Sequence, residues 1–401
     1  MDEKSIQTGE KGSMGRLFLP SLALSRFATQ PTYVVLSLLL IEIGTTFRLP
    51  VGVTGQLGTV RSMTGFVSSL IMGLLSVRYK HKSLLSTGLI LLSVAMLGCY
   101  LSTSFTLLLA FYVMIGFGSA MIMPMTTSLV AKHLPLENRT GAIGLLIATV
   151  SISVLVGTPI IRYIANIGGW RLPYLMYALP SPLLSLLLVS KGLPSEPEID
   201  VSSFSSGSLI AGYRKVISNK SAIACLVSNS LAGATFSGIS LYAVSFYREY
   251  FTLSKANATY LLIVAALIYT LGSLFSSRFV NKIGRRQVTY ISALTTGILT
   301  FSFTIVPLLW LSVVLATLAC LFAGIRGAAH VSLTLEQVPE FRGTMMSMSA
   351  AFVNLGTAFG SGLGGLAILW YGYVAIGPAL GLFGLVSAVI VYLMAVDPTQ
   401  L

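Results

Sequence analysis

The sequence predicts an all-α membrane protein of twelve transmembrane helices, arranged as two pseudo-symmetric six-helix bundles around a central cavity. Three observations lead there. Of the 401 residues, 55% are hydrophobic and only 9% are charged, with a mean hydropathy of +0.86, whereas soluble domains carry about 25% charged residues. The apolar material is spread along the whole chain in blocks long enough to cross a bilayer. Motifs in the first half recur in the second at a fixed offset. This composition excludes a water-soluble enzyme, a disordered tail, a coiled coil and a disulfide-stapled module. In lipid every backbone polar group must be paired internally, so the spans are helices or a closed barrel, and the period-two alternation of a barrel is missing.

A helix needs about 20 apolar residues to cross the hydrocarbon. Single spans fit 33–52, 60–79, 141–163, 171–190, 222–247 and 258–279. Residues 83–131, 287–325 and 343–396 carry no charge and are too long for one crossing. Each holds two helices, broken at Ser102-Thr103-Ser104, at Pro307 to Trp310 and at Tyr371-Gly372-Tyr373.

Lysine and arginine set the direction. With both termini cytoplasmic, the inner side holds Arg26, Arg78, Lys80, Lys82, Lys132, Arg139, Lys191, Arg278, Lys282, Arg285, Arg286 and Arg342, among others. The outer side holds only Arg48, Arg61, Arg162, Arg171, Arg248 and Lys255. Trp170, Trp310 and Trp370 fall at outer helix ends, as an interfacial aromatic belt requires. The net charge of +13 therefore reflects topology and calls for no nucleic acid. Met1 to Lys4 is polar and does not open a signal peptide. Cys99, Cys225 and Cys320 lie far apart in apolar stretches and read as small buried side chains, with no metal or cofactor.

Residues 191–220 form the one long polar connection, rich in serine with Pro194 and Pro197. They divide the chain into an N-terminal half (1–190), a cytoplasmic linker (191–220) and a C-terminal half (221–401). Leu209 to Asn219 mixes apolar and basic residues and suits a short interfacial helix or a plain linker. Across this divide Pro135 pairs with Pro339, 204 residues apart, and Arg139 with Arg342. Gly73 to Lys82 pairs with Ser277 to Arg286, again at 204. Two parallel six-helix repeats meeting around a midplane site are an architecture of secondary transporters.

The loop copies carry a resemblance to a known family. Ser277-Arg278-Phe279-Val280-Asn281-Lys282-Ile283-Gly284-Arg285-Arg286 and, more degenerately, Gly73 to Lys82 with Arg78 resemble the G-x-L-A-D-R-x-G-R-R/K signature of the major facilitator superfamily. The family's acidic residue is replaced by Val77 and Asn281. Gly157-Thr158-Pro159 followed by Gly168-Gly169-Trp170-Arg171 is similar to the glycine-proline stretch of family exporters, which implies that Gly157 and Pro159 bend the fifth span against the eighth. Tyr112 stands where proton-coupled exporters often have an arginine, four residues before Gly116-Phe117-Gly118.

The resemblance implies that spans 1, 4, 7 and 10 line the cavity, so charge there counts most, since intramembrane charge is costly and marks function. Glu42 falls near the middle of span 1. Arg326 and His330 share a face of span 10, Asn229 lies on span 7 and Tyr112 on span 4. Glu42 and Arg326 are expected to approach each other and to couple solute to protons. No phosphate loop, HExxH or GxSxG is present, so neither ATP drive nor membrane-embedded catalysis is expected. The expectation is a monomeric transporter in the cell membrane that moves a small organic solute, preferably by proton-coupled efflux. Uptake of an organic anion is the alternative, and a non-transporting sensor is a distant one.

Overall fold

The computed structural model describes residues 16–194 and 206–398; at 73, 74, 77, 136–141, 147 and 206–210 it describes the backbone alone. The described residues are helical throughout, with no strand. The first span is broken into α1 (Phe18–Phe27), α2 (Pro31–Leu38) and α3 (Leu40–Phe47). Pro31 opens α2, and a 66° bend separates Leu38 from Leu40. Breaks free backbone carbonyls, which in a membrane must find partners inside the protein. The second span comprises α4 (Val51–Thr54) and α5 (Gln56–Arg78). Then follow α6 (His81–Leu101), α7 (Phe105–His133), α8 (Leu136–Gly168) and a sixth span made of a π-turn (Tyr174–Ala178) and α9 (Pro180–Gly192).

After the linker helix α10 (Ser206–Ser218) come α11 (Lys220–Glu249), α12 (Lys255–Ile283), α13 (Arg285–Phe303), α14 (Leu309–Leu335), α15 (Arg342–Tyr371) and α16 (Ile376–Met394). Nine described helices are long and apolar enough to cross a membrane, ten with the bent first span. The span of α4 and α5, together with α13, completes twelve. These two are more polar because their hydroxyls are sheltered by neighbouring helices: Ser62, Ser68, Thr289, Thr296 and Thr300 are all buried.

The repeat is visible in geometry. Gly169 and Gly372, 203 residues apart, both take positive φ (75° and 77°) where α8 and α15 end, a conformation that glycine adopts without steric cost. Within the C-terminal half α11 packs on α15, where a Cβ on Gly356 would collide with the Ser230 carbonyl and one on Gly360 with that of Ala234. Small residues let helices approach closely in lipid, where packing replaces the hydrophobic drive. The two halves meet along α5–α15, α8–α12 and α2–α11. Tyr33 on α2 donates to the Ser237 carbonyl on α11 at 3.1 Å. These positions are 204 apart, the repeat offset, so they meet at the pseudo-two-fold axis.

The first span departs from the sequence expectation. It starts at Phe18 rather than near 33, which brings Arg26 into the membrane-spanning helix, 6% exposed. Likewise the second span starts at Val51, which carries Arg61 inward from the outer end. Trp310 and Trp370 are exposed as an aromatic belt requires, but Trp170 is buried, its ring packed on Phe47 and Tyr174 and its Nε1 donating to Thr46 at 2.9 Å. The linker helix is docked. Lys215 pairs with Glu340, and Asn219 caps α11 while its Nδ2 donates to the Gln337 carbonyl.

Candidate functional site

The face holding the start of α1, the end of α16 and the basic loops is the inner face of the sequence expectation; the opposite face is the outer one. At the outer face the halves are tied together by charge. Arg248 at the end of α11 grips the Glu42 carboxylate with both guanidinium nitrogens, at 2.9 and 3.0 Å, and Lys255 at the start of α12 binds it at 2.9 Å. Such a bidentate fork is the strong form of a carboxylate contact. A cavity of about 290 Å³ opens here, lined by Glu42, Thr46, Arg162, Trp170, Arg248 and Lys255, among others. Below it the backbones nearly touch: a Cβ on Gly52 would strike the Gly365 carbonyl. Gln56 donates to the Gly362 carbonyl, Thr59 to Ser361, and Asn354 to Ser69. These cross-half contacts run from the outer end of α5 to beyond its middle.

Glu42 is therefore not the midplane partner of Arg326. The early start of span 1 moves it toward the outer end, where Arg248 and Lys255 take both of its oxygens. Arg326 lies on α14, buried, with Asn229 of α11 at 3.5 Å as its hydrogen-bond partner. Asn229 in turn donates to Ser349 of α15 at 3.0 Å. His330, one turn from Arg326, is 1% exposed and neither ring nitrogen finds a hydrogen-bond partner. Arg326 and His330 of span 10 and Asn229 of span 7, separate candidates in the sequence, thus lie together between α14 and α11. Tyr112 is fully buried against the sixth span, its hydroxyl 2.7 Å from that of Tyr174, and does not open toward the other half.

Two charged residues were missed. Arg61 on α5 donates to the Thr29 carbonyl at 2.9 Å, the carbonyl freed by the break after α1, and lies over the ring of Tyr33 at 5.7 Å. Arg26 on α1 donates to the hydroxyls of Thr126 and Thr127 on α7 at 2.8 and 3.0 Å. Placing the first span around its single arginine, instead of after it, reveals Arg26; reading the second span back to Pro50 reveals Arg61.

The signature loops have a concrete role in packing. Lys82, at the start of α6, donates to the carbonyls of Ser190 and Leu193 at 3.2 and 2.6 Å, closing the end of α9. Arg286, 204 residues on and at the start of α13, donates to the Tyr392 carbonyl in the last turn of α16 at 2.6 Å. In each half the last basic residue of the motif caps the sixth helix, where the free carbonyls and the helix dipole favour a cation. Gly284 has φ 88°, which turns α12 into α13 within one residue. Arg78, Asn281 and Lys282 are exposed at the inner face. Gly73 falls in α5 at a position whose surroundings lie outside the described residues. Gly157 packs against the Tyr177 hydroxyl of its own half, where a Cβ would sit 2.7 Å away, and Pro159 lies inside the unbroken α8, which meets α12.

Two six-helix halves, joined by a linker and facing each other across polar and charged side chains, define a secondary-transporter bundle. The Major Facilitator Superfamily model matches residues 22–335 and 226–401, and the chain belongs to that family. It is 26% identical over 379 residues to a probable sugar efflux transporter of Pasteurella multocida, covering 93% of this chain and 91% of that one. It is 24% identical to multidrug resistance protein 2 of Bacillus subtilis, with 78% and 79% covered. Among solved structures it resembles a D-xylose-proton symporter at a TM-score of 0.76 and 15% identity, covering 95% and 98% of the two chains. It also resembles a bacterial homologue of the human lysosomal transporter Spinster, inward-facing and occupied, at 0.74 and 16%, with 94% and 95% covered.

Proposed function

We propose that the protein exports a small polar organic solute across the cell membrane by alternating access, driven by the proton gradient, with both termini cytoplasmic and the chain acting as a monomer. The observation that carries this reading is the distribution of contacts between the halves. They are concentrated from the outer face to beyond the middle of α5, with the Glu42–Arg248–Lys255 ion cluster at the outermost level. Such a set holds the outer side closed while Arg61 lies over Tyr33, which reaches α11, and Arg326 meets Asn229 between α14 and α11, so an inner-side solute reaches them first. Relatives named as sugar efflux and multidrug resistance transporters support the outward direction.

In this reading Glu42 latches the outer gate. Arg326 and Asn229 contact solute. His330 lies buried beside Arg326 at the same level. The test is flux in proteoliposomes under an imposed pH gradient, with labelled solutes on either side. Efflux by antiport predicts solute movement against the proton flow, abolished by protonophore. Accumulation in the same direction as protons would instead establish uptake by symport.

A further inference from the structure

Among the described residues the charged side chains buried inside the spanning helices are arginines, and the buried carboxylate Asp397 follows α16. Among the described residues Arg26, Arg61 and Arg326 lie within the spans, and their hydrogen-bond partners are neutral hydroxyls, a carbonyl and an amide. The sequence offers them no acid at depth: the carboxylates inside described spanning helices are Glu137 in the first turn of α8 and Glu42 and Glu249 toward the outer end, and Glu42 is already taken by Arg248 and Lys255. A guanidinium at membrane depth is costly even on insertion scales. Cations left without a counter-charge are completed by a bound anion or carry a standing penalty.

The arrangement follows the repeat. Arg26 joins the first helix of its half to the fourth, through Thr126. The position 204 residues after Arg26 is Ser230, beside Asn229, and the position 204 after Thr126 is His330, one turn from Arg326. Each half thus carries one arginine between its first and fourth helices at the same level, contributed by opposite members of the pair. Their bonding differs. Arg26 is tied by two short hydrogen bonds, whereas Arg326 has only the 3.5 Å contact with Asn229, and Arg61 is only partly buried, with one carbonyl partner. His330, with both ring nitrogens unpartnered at 1% exposure, is a second unfilled polar group beside Arg326.

We infer that the transported solute carries an anionic group, a carboxylate or a phosphate ester, taken up by Arg326 with His330 and Asn229 in the C-terminal half and met by Arg61 from the N-terminal half. Arg26 is the structural counterpart that holds α1 to α7. This inference rests on the transport reading and specifies its substrate. Carboxylate and phosphate are both matched by a guanidinium fork, and the assay separates them.

The test is thermal shift of the purified full-length protein with matched probes: glucose, gluconate and glucose 6-phosphate, and xylose against xylonate. Saturating anionic members should raise Tm by about 2–5 °C, with the neutral sugars inert. Arg326→Gln should weaken anion binding on the order of 100-fold, while Arg326→Lys, which keeps charge and tests that the variant folds, should lose less. Arg61→Gln should weaken it as well. Stabilisation by gluconate or xylonate alone identifies a carboxylate, and by the phosphate ester alone a phosphate. Equal or greater stabilisation by the neutral sugars, or anion binding unchanged in Arg326→Gln, overturns the inference; flux of neutral solutes in proteoliposomes would then leave the transport reading standing.

Discussion

Removing the charge of Glu42 should open the outer face. The carboxylate is 19% exposed, Arg248 13% and Lys255 58%. The cluster therefore lies between an exposed ion pair, worth about 0.2–1 kcal/mol, and a fully buried one, whose disruption costs about 3–5 kcal/mol. The bidentate Arg248 contact places it at about 1–3 kcal/mol. Because Glu42 belongs to one half and both cations to the other, this energy exists only while the outer side is closed. Glu42→Gln should then shift the equilibrium toward outward-open by about 5- to 150-fold. Val244, 4% exposed on α11 and lining the outer cavity, is a reporter of that opening. In a Cys-free background, Val244→Cys should react slowly with an impermeant maleimide and at least fivefold faster when combined with Glu42→Gln. Equal labelling rates would refute the latch, and with it the assignment of Glu42 to gating.

Other changes separate gating from packing. Gly365→Leu should prevent outer closure, since a Cβ there meets the Gly52 carbonyl and Gln56 of the other half; Val244→Cys labelling should become fast, and the melting temperature should fall as well because Tyr242 of the same half stands 2.7 Å from that Cβ. Gly356→Ala should cost about 1–3 kcal/mol of stability, because its Cβ meets the Ser230 carbonyl, whereas Gly343→Ala, with nothing within 4 Å, should be neutral or slightly stabilising; thermal melts in detergent compare them. Arg286→Glu should destabilise by about 1–2 kcal/mol through loss of the Tyr392 cap and the adverse dipole, and Lys82→Glu similarly in the N-terminal half, again read as melting temperature.

The architecture was legible because lipid imposes it: charge-free runs give spans, and the 204-residue offset gives the two halves. The loop motif was legible as a resemblance, but its purpose was not, since the partners of Lys82 and Arg286 lie more than 100 residues away at the ends of other helices. Depth was the weakest inference. Reading each charge as a span's end puts Arg26 and Arg61 outside and draws Glu42 to the centre, whereas the first span starts at Phe18. A broken helix can enter the membrane with an arginine satisfied by threonines or by a carbonyl freed at the break, and no local periodicity announces that. Arg326, His330 and Asn229 stand out in the sequence because they interrupt otherwise apolar helices, and Asn229 lies beside Arg326 in the fold. Tyr112 was chosen for its position in a motif, and its hydroxyl proved to serve the packing of its own half. The partner of Glu42 depended on how two halves meet across more than 200 residues, which the pattern of a single chain does not encode.

The central claim is that the two halves expose one site alternately to each side. The most direct measurement is paired accessibility in membranes: Val244→Cys for the outer side and Ser69→Cys, which faces Asn354 of the other half at the inner limit of the cross-half contacts, for the inner side, each labelled with and without saturating solute and pH gradient. Alternating access predicts reciprocal changes, with outer labelling rising as inner labelling falls and both reversing with the gradient. Labelling that rises together on both sides, or that responds to neither solute nor gradient, would contradict it.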